Sequence, residues 1–166
     1  MSDQKPLIGI AMGSTSDASV MEGCFETLDE LKIPYEIKVT SAHRTPASTK
    51  EFAENAAERG LEVMIAGAGW AAHLAGVIAA HTTLPVIGIP IDSSPLQGMD
   101  ALLATVQMPP GIPVATVALG KGGAKNAAIL AAQILALKYP DIAERLTAYR
   151  RALTQKTIEK AESWSR

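Results

Sequence analysis

Apolar runs recur along the chain at 6–12 (PLIGIAM), 35–40 (YEIKVT), 61–66 (LEVMIA), 85–91 (PVIGIPI) and 113–119 (PVATVAL), and a stretch with helical character follows each. Four of the five are nearly unbroken in apolar residues, as strands covered on both faces must be, whereas YEIKVT alternates and is expected nearer an edge. Strand followed by helix, five times over, predicts a parallel sheet with helices on both faces. Right-handed crossovers then wind the chain both ways from its first strand.

Helix boundaries can be read at several places. In TPASTKEFAENAAERG, Thr45 is placed to cap a helix, Pro46 suits its first turn and Gly60 suits a left-handed end. A short Ala-rich helix is expected from about 71 to 80, and a turn or two of helix from 97 to 105. AKNAAILAAQILAL, at 124–137, is apolar around most of its circumference and needs cover on two sides. A second subunit or the chain's own last helix can supply the second side. Beyond Pro140, Ile142, Leu146, Tyr149, Leu153 and Ile158 recur at helical spacing, which predicts an amphipathic helix that docks on its own subunit or a neighbour. The expected architecture is an α/β, flavodoxin-like three-layer sandwich in one catalytic domain over 1–166, with its core at 6–138 and a helical extension at 140–162.

Composition narrows the function. With 166 residues, 48% of them apolar, the chain suits one sizeable core. Fifteen Lys and Arg against seventeen Asp and Glu give a net charge of −2, without the basic run that nucleic acid or a membrane surface would call for. Cys24 is the sole cysteine, so no intrachain disulfide forms, and its spacing from Val20, Leu28 and Leu31 makes it a core residue. The polar start MSDQKP lacks the pattern of an export signal, and Gly, Pro or charges interrupt every apolar stretch before it could span a bilayer. A cytoplasmic location is expected.

In an open parallel sheet, ligands bind beyond the carboxyl ends of the strands, where loops converge with helix N-termini. The first such loop, GSTSD at 13–17, offers hydroxyls and a carboxylate to a phosphate or ribose, or simply caps a helix with Ser16 or Asp17. The second, SAHRTP at 41–46, brings Ser41, His43 and Arg44 together, as an anion site or simply as a surface histidine beside a capping Thr45. Arg presents a planar fork of donors to an anion, and a histidine beside an anion exchanges protons near neutral pH. The third, AGAGWAAH at 66–73, lacks a complete dinucleotide fingerprint; small residues such as Ala68 and Gly69 either let the backbone approach a flat ligand or serve close packing of the next helix on the sheet. His73 is either a second imidazole of the pocket or a hydrogen-bonded helix histidine, and His81 reads as a C-terminal cap. A fourth loop, PIDSSPLQGMD, together with VQMPPG, is expected to close in part over the ligand. No metal-ligand spacing and no Walker A sequence occurs, so neither a metal nor ATP hydrolysis is expected. These residues describe a cofactor-free enzyme or binding protein for a small phosphorylated ligand.

The loops GSTSD, SAHRTP and AGAGWAAHLAG, followed by PLQGMDALLATVQMPPGIPVATVALGKGGAKNAAILAAQIL, resemble the N5-carboxyaminoimidazole ribonucleotide mutase family over about residues 6–138. The resemblance implies a cofactor-free isomerase of purine biosynthesis, a homo-octamer of flavodoxin-like subunits, and a C-terminal helix packed on a neighbouring subunit. It also implies His43 as the acid/base group, Arg44 on the phosphate, and Ser14 and Asp17 on the substrate, with Asp17 at the ribose hydroxyls. Ser41, Ala68, Gly69 and His73 complete the expected substrate site. The sequence departs from the family at Trp70, where a small residue is common, and at Ala75, where proline is common. Relatives that carboxylate aminoimidazole ribonucleotide directly tend to carry Lys after the histidine, so Arg44 favours the mutase over the carboxylase. A different class of reading, an FMN-binding flavodoxin-like protein, would set the phosphate in GSTSD and stack the flavin on Trp70.

Overall fold

The computed structural model describes residues 5–164. Residues 1–4, within the MSDQKP stretch on which the expectation of no export signal rests, lie outside the described residues. The elements run β1 (Ile8–Met12), a 3₁₀ turn (Thr15–Asp17), α1 (Ala18–Glu30), β2 (Tyr35–Val39), α2 (Pro46–Glu54), β3 (Val63–Gly69) and α3 (Leu74–Ala80). They continue through β4 (Val86–Ile91), α4 (Met99–Val106), β5 (Ala115–Thr116), α5 (Gly120–Ala136) and α6 (Pro140–Glu162). The sheet is parallel throughout, in the order β2-β1-β3-β4-β5. Ile10 stands between Ile37 of β2 and Ile65 of β3, and Ile65 pairs on its other side with Ile87 of β4.

Strand alternation divides the interior in two. Ile8, Ile10, Val63, Ile65, Ile87 and Ile89 face α1 and α5, whereas Ala11, Met64, Ala66 and Val86 face α2 and α3. The sandwich therefore has three layers, as expected, with β2 at an edge. Cys24 is fully buried beside Met21 and Leu28, and burial pushes its thiol pKa up to about 12. Among the described residues no helix is long and apolar enough to cross a membrane.

Several boundaries differ from the sequence reading, each for a local reason. Helix α2 stops at Glu54, capped by Asn55, and turns fill the gap to Gly60, which adopts the expected left-handed φ of +93°. Thr45 makes no side-chain cap, because its hydroxyl accepts the Ser41 N–H at 2.8 Å. Helix α5 begins at Gly120, ahead of the expected 124, and Gly123 in its first turn serves close packing: a Cβ there would lie 1.6 Å from the Ala118 carbonyl oxygen. Both sides of α5 are covered within the chain, by α1 and the sheet on one and by α6 on the other. The last helix thus docks on its own subunit through Ile142 and Leu146, while Leu153 and Ile158 farther along remain exposed.

Candidate active site

The strand order reverses direction between β1 and β3, and the loops that follow β1, β2, β3 and β4 converge at the carboxyl edge around this point. They enclose a cleft of about 540 Å³, within the range of small-molecule sites. Ser14, Asp17, Ser41, His43, Arg44, Ala68 and Gly69 all line it, so every residue singled out from the sequence except His73 has a wall of the cleft.

The loop after β1 is rigid because it closes on itself. The Ser14 hydroxyl accepts the Ser16 N–H at 3.3 Å, and the Asp17 carboxylate accepts the Ser14 N–H at 3.0 Å, which forms a reciprocal capping box. Capping and site-lining are therefore the same arrangement here. Asp17 is buried, and burial raises its carboxyl pKa, although the Ser14 N–H and the nearby Arg44 guanidinium act in the opposite direction.

Threonines pin the second loop. The Thr40 N–H donates to the Met12 carbonyl at the end of β1, and the Thr40 hydroxyl lies 2.8 Å from that of buried Thr49 and 3.1 Å from that of Thr45. Ser41 then turns the chain by accepting the backbone N–H groups of His43 and Arg44 at 3.3 and 3.2 Å. The Arg44 guanidinium donates to the Gly13 carbonyl at 3.1 Å, which ties the second loop to the first. A guanidinium carries five N–H donors, so most of the fork is left for an anion.

His73 begins α3 and reaches the cleft through His43. The two rings meet edge to face, with His43 Nε2 2.8 Å from His73 Nδ1. At that distance one proton lies between the two nitrogens, so both cannot carry it at once. His43 Nδ1 has no protein partner among the described residues and is the nitrogen left to exchange protons with a ligand. Thirty residues separate the pair, and no local pattern announces it. His81 occupies the C-cap of α3, as expected, with its imidazole 3.4 Å from the Glu54 carboxylate.

Small residues shape the third wall. A Cβ on Gly69 would fall 2.1 Å from the Ser93 hydroxyl and 3.1 Å from the Ile91 carbonyl, so glycine is what lets the end of β3 approach the next loop. Ser93 lines the cleft, and of the expected fourth loop and VQMPPG it alone does so. The sequence reading also passed over Ala71 and Leu74, which sit on the cleft as a consequence of the path from β3 into α3. Among the described residues, no group of three or more His, Cys, Asp or Glu side chains is arranged to hold a metal ion.

A profile of the family described as AIR carboxylase matches residues 7–156. The chain belongs to this family. It is 56% identical over 162 residues to the N5-carboxyaminoimidazole ribonucleotide mutase of Pyrococcus horikoshii, an alignment covering 98% of this chain and 90% of the relative. With the enzyme of the same name from Bacillus subtilis it shares 56% over 158 residues, or 95% and 98% of the two chains. The crystal structure of Treponema denticola PurE superimposes with a TM-score of 0.85 at 32% identity, over 97% of this chain and 99% of the other. Within the AIR carboxylase family the present chain thus matches mutases along nearly its full length.

Proposed function

We propose that the cleft isomerises N5-carboxyaminoimidazole ribonucleotide to 4-carboxy-5-aminoimidazole ribonucleotide, a step of purine biosynthesis. One observation carries the reading: in a chain 56% identical to two such mutases, His43, Arg44 and Asp17 converge on a single cleft. The free donors of Arg44 and the hydroxyls of Ser14 and Ser41 suit the phosphate, and the Asp17 carboxylate suits the ribose hydroxyls. Ala68 and Gly69 leave room for the flat imidazole and offer it backbone groups.

The chemistry needs one proton given and one taken. His43 Nδ1–H donates to the carbamate nitrogen as the N–C bond breaks and CO2 is released into the cleft. The electron-rich C4 of the imidazole attacks that CO2, and the proton lost from C4 returns to Nδ1. Across this cycle His43 Nε2–H donates to His73 Nδ1, with the His73 proton on its own Nε2, and this bond fixes the His43 ring. Atoms and charge balance without an added cofactor.

The working unit in this reading is a homo-octamer in the cytoplasm. Support for assembly comes from α4 and its flanks, where Leu96, Met99, Leu103, Val106 and Ile112 are exposed on the described chain, and from the exposed end of α6.

Substrate generated in situ, purified protein, no ATP and 13C-bicarbonate in the buffer provide the test. Unlabelled product formed well above the protein-free rate is the expected result. Labelled product in the first turnovers would identify direct carboxylation from solution, and no acceleration would overturn the reading.

A further inference from the structure

Ser93 lines the cleft but has no task in the site built from His43, Arg44 and Asp17. The other serines there are engaged within their own loops: Ser16 donates to the Ser14 hydroxyl at 2.9 Å, and Ser41 accepts the backbone N–H groups of His43 and Arg44. Among the described residues, the Ser93 hydroxyl has no protein partner. A free hydroxyl on an exposed loop is ordinary; what singles this one out is the backbone opposite. Gly69 does not share the left-handed conformation of Gly98 and Gly120, so its backbone makes no demand for glycine. Its missing side chain serves space instead, and the Ser93 side chain occupies that space: a Cβ on Gly69 would lie 2.1 Å from Ser93 Oγ and 3.4 Å from Ser93 Cβ. The hydroxyl is thereby seated against the end of β3, beside the small wall formed by Ala68 and Gly69.

Strand order decides which part of a ligand meets it. The Gly13 carbonyl holds the Arg44 guanidinium over the end of β1, whereas Ser93 follows β4, and β3 stands between the two. Two strand spacings, about 10 Å, separate these positions. A ribonucleotide with its phosphate on Arg44 and its ring against Ala68 and Gly69 therefore turns the far edge of the ring toward Ser93. In both substrate and product of the proposed isomerisation, that edge carries an exocyclic N–H with a carboxylate beside it. A hydroxyl can accept from the first and donate to the second at once, which neither a carboxylate nor a cation can do. We propose that Ser93 reads the exocyclic edge of the heterocycle, and that it is a specificity-determining residue separating the carboxylated aminoimidazole from other phosphorylated ribosides. The inference rests on the mutase reading of the cleft. Because the same two groups are present before and after the carboxylate moves, the contact acts on affinity rather than on the rate of the chemical step.

Ser93→Ala and Ser93→Thr test it beside wild type and Arg44→Ala, with two probes titrated by calorimetry: the 4-carboxy product and ribose 5-phosphate, which lacks the heterocycle. Ser93→Ala weakens product binding about three- to ten-fold, the range of one hydrogen bond, raises KM in proportion and leaves kcat within about two-fold of wild type. Its affinity for ribose 5-phosphate is unchanged, whereas Arg44→Ala loses affinity for both probes. Ser93→Thr keeps the hydroxyl and most of the product affinity, and the exposed position leaves the melting temperature of both Ser93 variants in place. Equal product affinity in Ser93→Ala and wild type overturns the proposal. So does equal weakening of the two probes, which would assign Ser93 to the shape of its loop rather than to the heterocycle. If wild type binds ribose 5-phosphate but neither binds nor converts the carboxylated ribonucleotides, the mutase reading falls, and this proposal with it; that outcome is read from wild type alone.

Discussion

Helix α5 and the cleft rim draw on the same small residues and use them in opposite ways. In α5, Ala124, Ala127, Ala128, Ala131 and Ala132 are fully buried, so each methyl is a spacer that fixes how closely α1, α6 and the sheet approach. At the rim, Ala68 and Gly69 bring the backbone just as near, but the space before them is open. A small residue is therefore a packing device or a binding device according to what stands opposite. Composition cannot separate the two; topology does, by ending β3 at the reversal of strand order.

If that contrast is right, damage at the rim costs chemistry and damage in α5 costs stability. The largest effect belongs to His43→Asn, where turnover falls by about 10²- to 10⁴-fold, the range of a lost general acid/base, while the melting curve stays in place. A melting temperature that falls along with turnover would break the comparison. Next, Arg44→Ala weakens substrate binding by about 1.5–3 kcal/mol, as for bonds to a charged group, and calorimetric titration with product reads it directly. Unchanged affinity would remove Arg44 from the phosphate. In α5, Ala128→Leu forces extra volume into a filled interior and lowers stability by about 1–3 kcal/mol in urea unfolding, with affinity of the folded fraction kept. A neutral result there would mean that the alanine face is loosely packed.

Much of this layout was legible from the chain alone. Continuous apolar runs gave the buried strands, and the alternating YEIKVT marked the edge strand β2. PVATVAL was the poorest case, because β5 keeps only Ala115 and Thr116 in ladder pairing before the chain turns toward α5. The start of α5 at Gly120 was not legible in GKGG, because glycine favours no helix and only the fold shows that Gly123 must pack against the Ala118 carbonyl. At the site, residues on one loop were visible together, as with Ser41, His43 and Arg44. What could not be read was contact between loops: His43 with His73, Arg44 with Gly13, and Ser93 beside Gly69. Those depend on strand order, which places β1 between β2 and β3 and brings distant segments to one edge.

The two borders of the sheet bear on a different property, resistance to aggregation. An open strand border is a template for pairing with another chain, and flat apolar borders invite fibrils. Here one border is a strand of only two residues, Ala115–Thr116. The other carries Glu36 and Lys38, and Arg59 reaches across to hold Glu36 at 2.9 Å while donating to the Phe52 carbonyl of α2. Neither border offers a long uncharged ladder, so the folded chain resists joining its sheets edge to edge with another copy.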